Sequence, residues 1–150
     1  MLSLNDFATI ANAVSAKESQ QEQYPSMDEL DIKVRVKTRH LPDHLPSDSK
    51  QFAFAYHITI ENKSNHTVQL INRYWKITDA NGKTSEIEGA GVVGKQPFLK
   101  AGEQFEYTSG AVINTPVGNM EGYYEMELES KERFRVPINV FRLAIPSILH

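Results

Sequence analysis

Apolar and polar residues change their spacing once along the chain, near Asp31. Before that point Leu4, Phe7, Ile10 and Val14 recur at roughly helical spacing, with Ser3 or Asn5 placed to cap the start. The segment turns polar over residues 17–23. Residues 1–26 therefore read as a short N-terminal helix or disordered extension with a linker. It would serve either as an appendage or as a docking helix for a partner. The domain proper is expected over residues 27–150. From Asp31 the period is two: Ile32, Val34 and Val36 alternate with Lys33, Arg35 and Lys37, as in a half-buried strand. Residues 39–50, with Pro42 and Pro46, form a loop. Phe52, Phe54, Tyr56, Ile58 and Ile60 then share one face of a second strand, and residues 62–66 make a polar turn.

A third strand over residues 68–78 carries Leu70, Tyr74, Trp75 and Ile77. Trp75, the only tryptophan, is expected in the core, and Tyr74 beside Arg73 is a candidate surface contact. Asn81-Gly82 supplies the positive φ of a tight hairpin, from which residues 84–88 return. Alternation resumes over 105–108, 123–128 and 134–140, and the apolar tail 141–150 is expected to cover the domain or a neighbouring subunit of a homo-oligomer. About seven or eight short antiparallel strands without intervening helices predict an all-β, immunoglobulin/fibronectin type III-like β-sandwich, with a partly closed barrel as the alternative.

A length of 150 residues suits one domain. The net charge of −3 does not suit general binding of a phosphate backbone, so no nucleic-acid partner is expected, although a local basic patch stays open. There is no cysteine, which removes disulfides and thiolate chemistry and fits a reducing compartment. No stretch approaches the roughly 20 apolar residues that span a bilayer. The start of the chain lacks the positive charges of a secretory signal, so no membrane partner and a cytoplasmic location are expected.

Gly89-Ala90-Gly91-Val92-Val93-Gly94 matches G-x-G-x-x-G, but Pro97 follows closely and no βαβ unit surrounds it, so a dinucleotide fold is not supported. Two readings stay open. The glycines shape a crossing loop, or Gly89, Gly91 and Gly94 expose backbone amides to phosphate or pyrophosphate, with Lys95 adding charge. His40 and His44, near Asp43 and Asp48, lie in a loop without the fixed geometry of a metal site. Glu125, Glu127 and Glu129 alternate with Met126 and Leu128 as a solvated strand face does. Ser109 has no partner in a recognisable hydrolase motif. No catalytic residues, no metal site and no cofactor are expected.

Several motifs together resemble the ApaG family, also called CorD. They are Phe52-Ala53-Phe54-Ala55-Tyr56, Gln69-Leu70-Ile71-Asn72-Arg73-Tyr74-Trp75, Thr78-Asp79-Ala80-Asn81-Gly82 and Glu88-Gly89-Ala90-Gly91-Val92-Val93-Gly94-Lys95-Gln96-Pro97. Further on are Tyr107-Thr108-Ser109-Gly110-Ala111, residues 115–122, and Phe141-Arg142-Leu143-Ala144. The resemblance implies a bacterial domain with a fibronectin type III-like sandwich. It also implies genetic links to dinucleoside tetraphosphate hydrolysis and to cobalt and magnesium homeostasis, and relatives that act as interaction modules. It carries over no catalytic set. The expected function is a non-catalytic protein–protein interaction module with a protein partner. The alternative is a small-ligand binding protein for a phosphate-containing ligand or Mg²⁺ or Co²⁺.

Overall fold

Alternation from Ile32 onward resolves into eight strands: β1 (Ile32–His40), β2 (Phe52–Asn62), β3 (Val68–Asp79), β4 (Thr84–Ala90), β5 (Phe98–Leu99), β6 (Gln104–Ile113), β7 (Val117–Leu128) and β8 (Arg133–Ala144). These come from a computed structural model, which describes residues 30–148. The N-terminal extension expected over 1–26 lies outside the described residues. All strand pairs are antiparallel, in two sheets of order β1-β2-β6 and β4-β3-β7-β8, with β5 pairing the start of β3. The chain is thus the expected sandwich. The strand after β3 stays on the sheet of β3, the fibronectin type III arrangement, whereas in a constant-type immunoglobulin sandwich it joins the other sheet.

The inner faces meet around Trp75, which is 1% exposed. Tyr56 of β2 lies edge-on to it at 5.3 Å, Phe141 of β8 at 5.8 Å and Tyr124 of β7 at 6.4 Å. Such edge-to-face pairs add about 0.5–1.5 kcal/mol each beyond the area they bury. Phe54, Ile58, Ile60, Leu70, Met120, Met126 and Leu143 fill the rest. The apolar tail anticipated at 141–150 begins as strand: Phe141–Ala144 end β8, with Leu143 fully buried. Gly122 pairs directly with Trp75, and a Cβ there would collide with the carbonyl oxygen of Tyr74. Glycine is required there because the β3 backbone leaves no room for a side chain.

Two bulges set which residues face in. β3 carries an extra residue between Leu70 and Asn72, and β8 carries one opposite Met120–Gly122. The first explains why Leu70 and Trp75, of opposite parity, are both buried. It also turns Arg73 inward opposite buried Tyr124, away from Tyr74, so these two neighbours do not share a surface.

Polar groups inside are paired. Asn62 is fully buried; its Nδ2 donates to the carbonyls of His66 (2.7 Å) and Leu99 (2.9 Å), and its Oδ1 accepts from the amide (2.9 Å) and hydroxyl (2.6 Å) of Ser64. All four bonding positions of the amide are used, which fixes the crossing from β2 to β3. The Asn81-Gly82 hairpin closes differently from expectation. Only Gly82 has positive φ, and Asp79 Oδ1 accepts from the amides of Asn81 and Lys83. This is a three-residue loop with glycine in the left-handed position rather than a two-residue turn. The hydroxyls of Tyr107 and Tyr124 meet at 2.5 Å between the sheets, and Tyr56 bonds to Ser109 beside them. Burial pushes all three phenols above their ordinary value of 10.0.

Two outcomes follow. Gly122→Ala should destabilise the domain by more than about 2 kcal/mol in urea unfolding, because a backbone atom must move to admit the methyl. Alkaline pH should also destabilise it. Raised native pKa values mean the unfolded chain releases phenolic protons first. Stability is therefore intact below pH 10 and falls above it, by up to about 1.4 kcal/mol per pH unit for each of the three tyrosines. Phenolate absorbance should rise together with unfolding, not before it.

Candidate functional site

β4 is the end strand of the path β4-β3-β7-β8, whose sheet has five strands against three in the opposite sheet. Every residue from Thr84 to Ala90 is exposed except half-buried Gly89. Ile87 pairs with Trp75 and so faces inward, yet it is 44% exposed. On the outer face, cross-strand rows run from this edge across the sheet. Glu88, Tyr74, Tyr123 and Pro137 form one; Ala90, Asn72, Glu125 and Arg135 form the next. The rings of Tyr74 and Tyr123 stack at 5.0 Å, and the Arg135 guanidinium lies 4.2 Å from the Tyr123 ring centroid. This shelf bounds a concavity of about 420 Å³ that includes Asn72, Glu88 and Glu125.

Electrostatics divide the shelf. Glu125 accepts from Asn72 Nδ2 at 2.7 Å and faces Arg133 at 3.4 Å, while Glu127 holds Arg133 Nε at 3.1 Å. These exposed pairs are worth little to stability. Arg135 forms no ion pair among the described residues and has only the Tyr123 ring. Glu86 and Glu88 also make none among them. Desolvation beside its neighbours, then the Glu86 carboxylate to which it donates, raises the Tyr74 phenol. Tyr74 therefore stays neutral and keeps its donor proton at ordinary pH.

The glycine motif adjoins this shelf. Val92 and Lys95 exchange both backbone hydrogen bonds across a two-residue turn, with Val93 at φ 42° and Gly94 at φ 79°. A β-branched residue in the left-handed region costs about 1–3 kcal/mol and is held by its surroundings. Gly91 sits at φ 66°, and a Cβ there would strike the carbonyl oxygen of Lys95. Gly89 lies beneath Arg73, whose Nη1 would be 2.8 Å from an added Cβ. That Nη1 donates to the carbonyls of Ala90 (3.1 Å) and Gly91 (2.9 Å). The amide of Gly91 donates to Ile71, and those of Val92 and Lys95 to each other's carbonyls. The Lys95 side chain is exposed.

Other sequence candidates are scattered. His40 stacks near Phe54 at the end of β1, and His44 is exposed in a short turn of helix. No group of three or more His, Asp or Glu among the described residues could hold a metal ion. Ser109 faces Tyr56. A second concavity, about 600 Å³, lies on the outer face of the three-stranded sheet. Its Arg35 is paired with Glu61 (3.1 Å), and its His57 is pinned between Thr108 (2.8 Å) and Glu106 (2.9 Å). No described helix is long and apolar enough to cross a membrane.

The fold and site define a fibronectin type III-like sandwich whose β4 edge is open and bordered by an aromatic shelf. The family that matches is the ApaG domain, over residues 42–128. The protein called Protein ApaG of Pectobacterium atrosepticum is 48% identical over 117 residues, covering 78% of this chain and 94% of that one. Its namesake in Acidithiobacillus ferrooxidans is 48% identical over 120 residues, covering 80% and 94%. A crystal structure from Bordetella pertussis is 44% identical with a TM-score of 0.75, covering 78% of this chain and 95% of that one. The chain belongs to the ApaG family.

Arg73 ties the glycine loop to β3, a role that no local pattern of residues announces. Arg73→Met keeps the aliphatic stem but leaves the Ala90 and Gly91 carbonyls without their donor. We expect a loss of about 1–3 kcal/mol and faster hydrogen exchange at the Gly91 amide. An unchanged unfolding midpoint would mean that water replaces the guanidinium.

Proposed function

We propose that this chain is a non-catalytic protein–protein interaction module that contacts its partner through the outer face of the four-strand path β4-β3-β7-β8. The observation that carries the reading is the stacked Tyr74–Tyr123 pair beneath an Arg135 that has no acidic partner among the described residues. Tyrosine and arginine dominate the binding energy of protein interfaces, because they bury much area for few frozen torsions. Elsewhere on this sheet Arg133 is paired with Glu125 and Glu127. An unpaired guanidinium over an aromatic ring stands ready to take a carboxylate or backbone carbonyl from outside.

The absence of cysteine fits a cytoplasmic partner. On this reading, a link to cobalt and magnesium homeostasis runs through that partner. The test is affinity capture with the full chain, followed by Tyr123→Ala and Arg135→Ala. Each variant should lose at least about tenfold in retention of the wild-type partner, equivalent to 1.4 kcal/mol, while unfolding at the same temperature within a few degrees. Equal retention by both folded variants would overturn the reading.

A further inference from the structure

Beyond the shelf, we infer that β4 binds an extended segment of a partner as an added strand, and that the segment carries two basic side chains flanking an apolar one. The inference rests on the interaction-module reading and names the partner's chemistry.

An end strand offers a row of unpaired amides and carbonyls, and proteins usually blunt such edges with proline, lysine, bulges or covering elements. The other end strand of this sheet, β8, has Pro137 and a bulge. The β1 edge has Lys33, Arg35, Lys37 and Arg39 along it. β4 reads Thr-Ser-Glu-Ile-Glu-Gly-Ala and pairs with β3 without a register shift, so it has no proline, lysine or bulge, and the charges of Glu86 and Glu88 are what guard it. Both of its faces are open, and Ile87 presents apolar surface on the inner one.

The side chains select the occupant. Residues directly opposite on paired strands touch on the same face, and like charges there are destabilising. An incoming strand that places an apolar residue beside Ile87 places its two neighbours beside Glu86 and Glu88, on the outer face. Neither glutamate makes an ion pair among the described residues, although Glu86 lies opposite Lys76 and accepts from Tyr74, so a lysine or arginine from outside gives each a close charge partner. A second copy of β4 is disfavoured. Antiparallel pairing about Ile87 sets Glu86 against Glu88 twice, and the face-matched registers on either side set Glu86 or Glu88 against itself. The same row continues from Glu88 to Tyr74 and Tyr123, so a bound segment reaches the aromatic shelf.

The test is an amide NMR titration of the full chain with two capped peptides, one with a Lys-Val-Lys centre flanked by threonines and one with Glu-Val-Glu in its place. We expect saturable shifts confined to residues 84–90 and Tyr74 with the lysine peptide, at least tenfold weaker binding of the glutamate peptide, and slower hydrogen exchange along β4. Glu86→Lys with Glu88→Lys, both at exposed positions, should reverse the preference. Absence of saturable shifts at 84–90, shifts centred elsewhere, or equal affinity for both peptides would overturn the inference. If the peptides fail while Tyr123→Ala still loses the captured partner, the added strand alone is wrong. If that variant also retains the partner, the interaction reading falls with it.

Discussion

The seat of Trp75 between the sheets sets the geometry on which the other features depend. Tyr56 of β2 meets its ring edge-on, and Gly122 of β7 lies directly opposite it, where a Cβ would strike the Tyr74 carbonyl oxygen. The core gathered around it draws on β2, β3, β6, β7 and β8. β4 adds only Ile87, half out of it. The edge strand is therefore held by its ladder to β3 and by Arg73 reaching over Gly89 to the carbonyls beyond it. Elements with few buried contacts open at lower free energy than the core. The strand best placed to accept a partner is thus also the one that can adjust to it without disturbing the aromatic centre.

Charge acts mainly on selection. The acidic pairs on β7 with Arg133 and Lys131 are exposed, and such pairs contribute at most about 1 kcal/mol each. Arg135 has no acidic partner among the described residues, and Glu86 and Glu88 on the edge make no ion pair among them. One face thus offers two recognition chemistries a strand or two apart, with the stacked rings of Tyr74 and Tyr123 between them. Electrostatic complementarity of this kind favours the right partner and register more than it adds affinity.

The fold was legible because its strands alternate strictly where they are half-buried. Ile32–Val36 and Phe52–Ile60 could be assigned a face from spacing alone. Spacing fails at Ile71. The bulge there changes parity in mid-strand, so Arg73, read as a neighbour of Tyr74 on the surface, is a half-buried residue on the opposite face that closes the glycine loop. The shelf was only half legible. Tyr74 was marked, but its partners Tyr123 and Arg135 lie some fifty to sixty residues on and meet it only through the order β4-β3-β7-β8. That order depends on which sheet the strand after β3 joins. The choice is made by the two inner faces together, and no local pattern announces it.

The glycine motif teaches the same point from the other side. Gly89, Gly91 and Gly94 fit a phosphate-binding spacing, yet each position has a steric reason of its own. The first makes room for a guanidinium, the second for a carbonyl oxygen, and the third takes a left-handed turn position. The loop's hydrogen bonds run inward, to Ile71, to Arg73 and between Val92 and Lys95. A spacing can therefore recur because three separate packing demands fall at those intervals, with no ligand needed to account for it. What the loop projects outward is the strained, exposed Val93 at its tip, on a turn built into the same edge as β4. The paired backbone bonds of Val92 and Lys95 and the bond from Gly91 to Ile71 carry the β3 pairing past the end of β4.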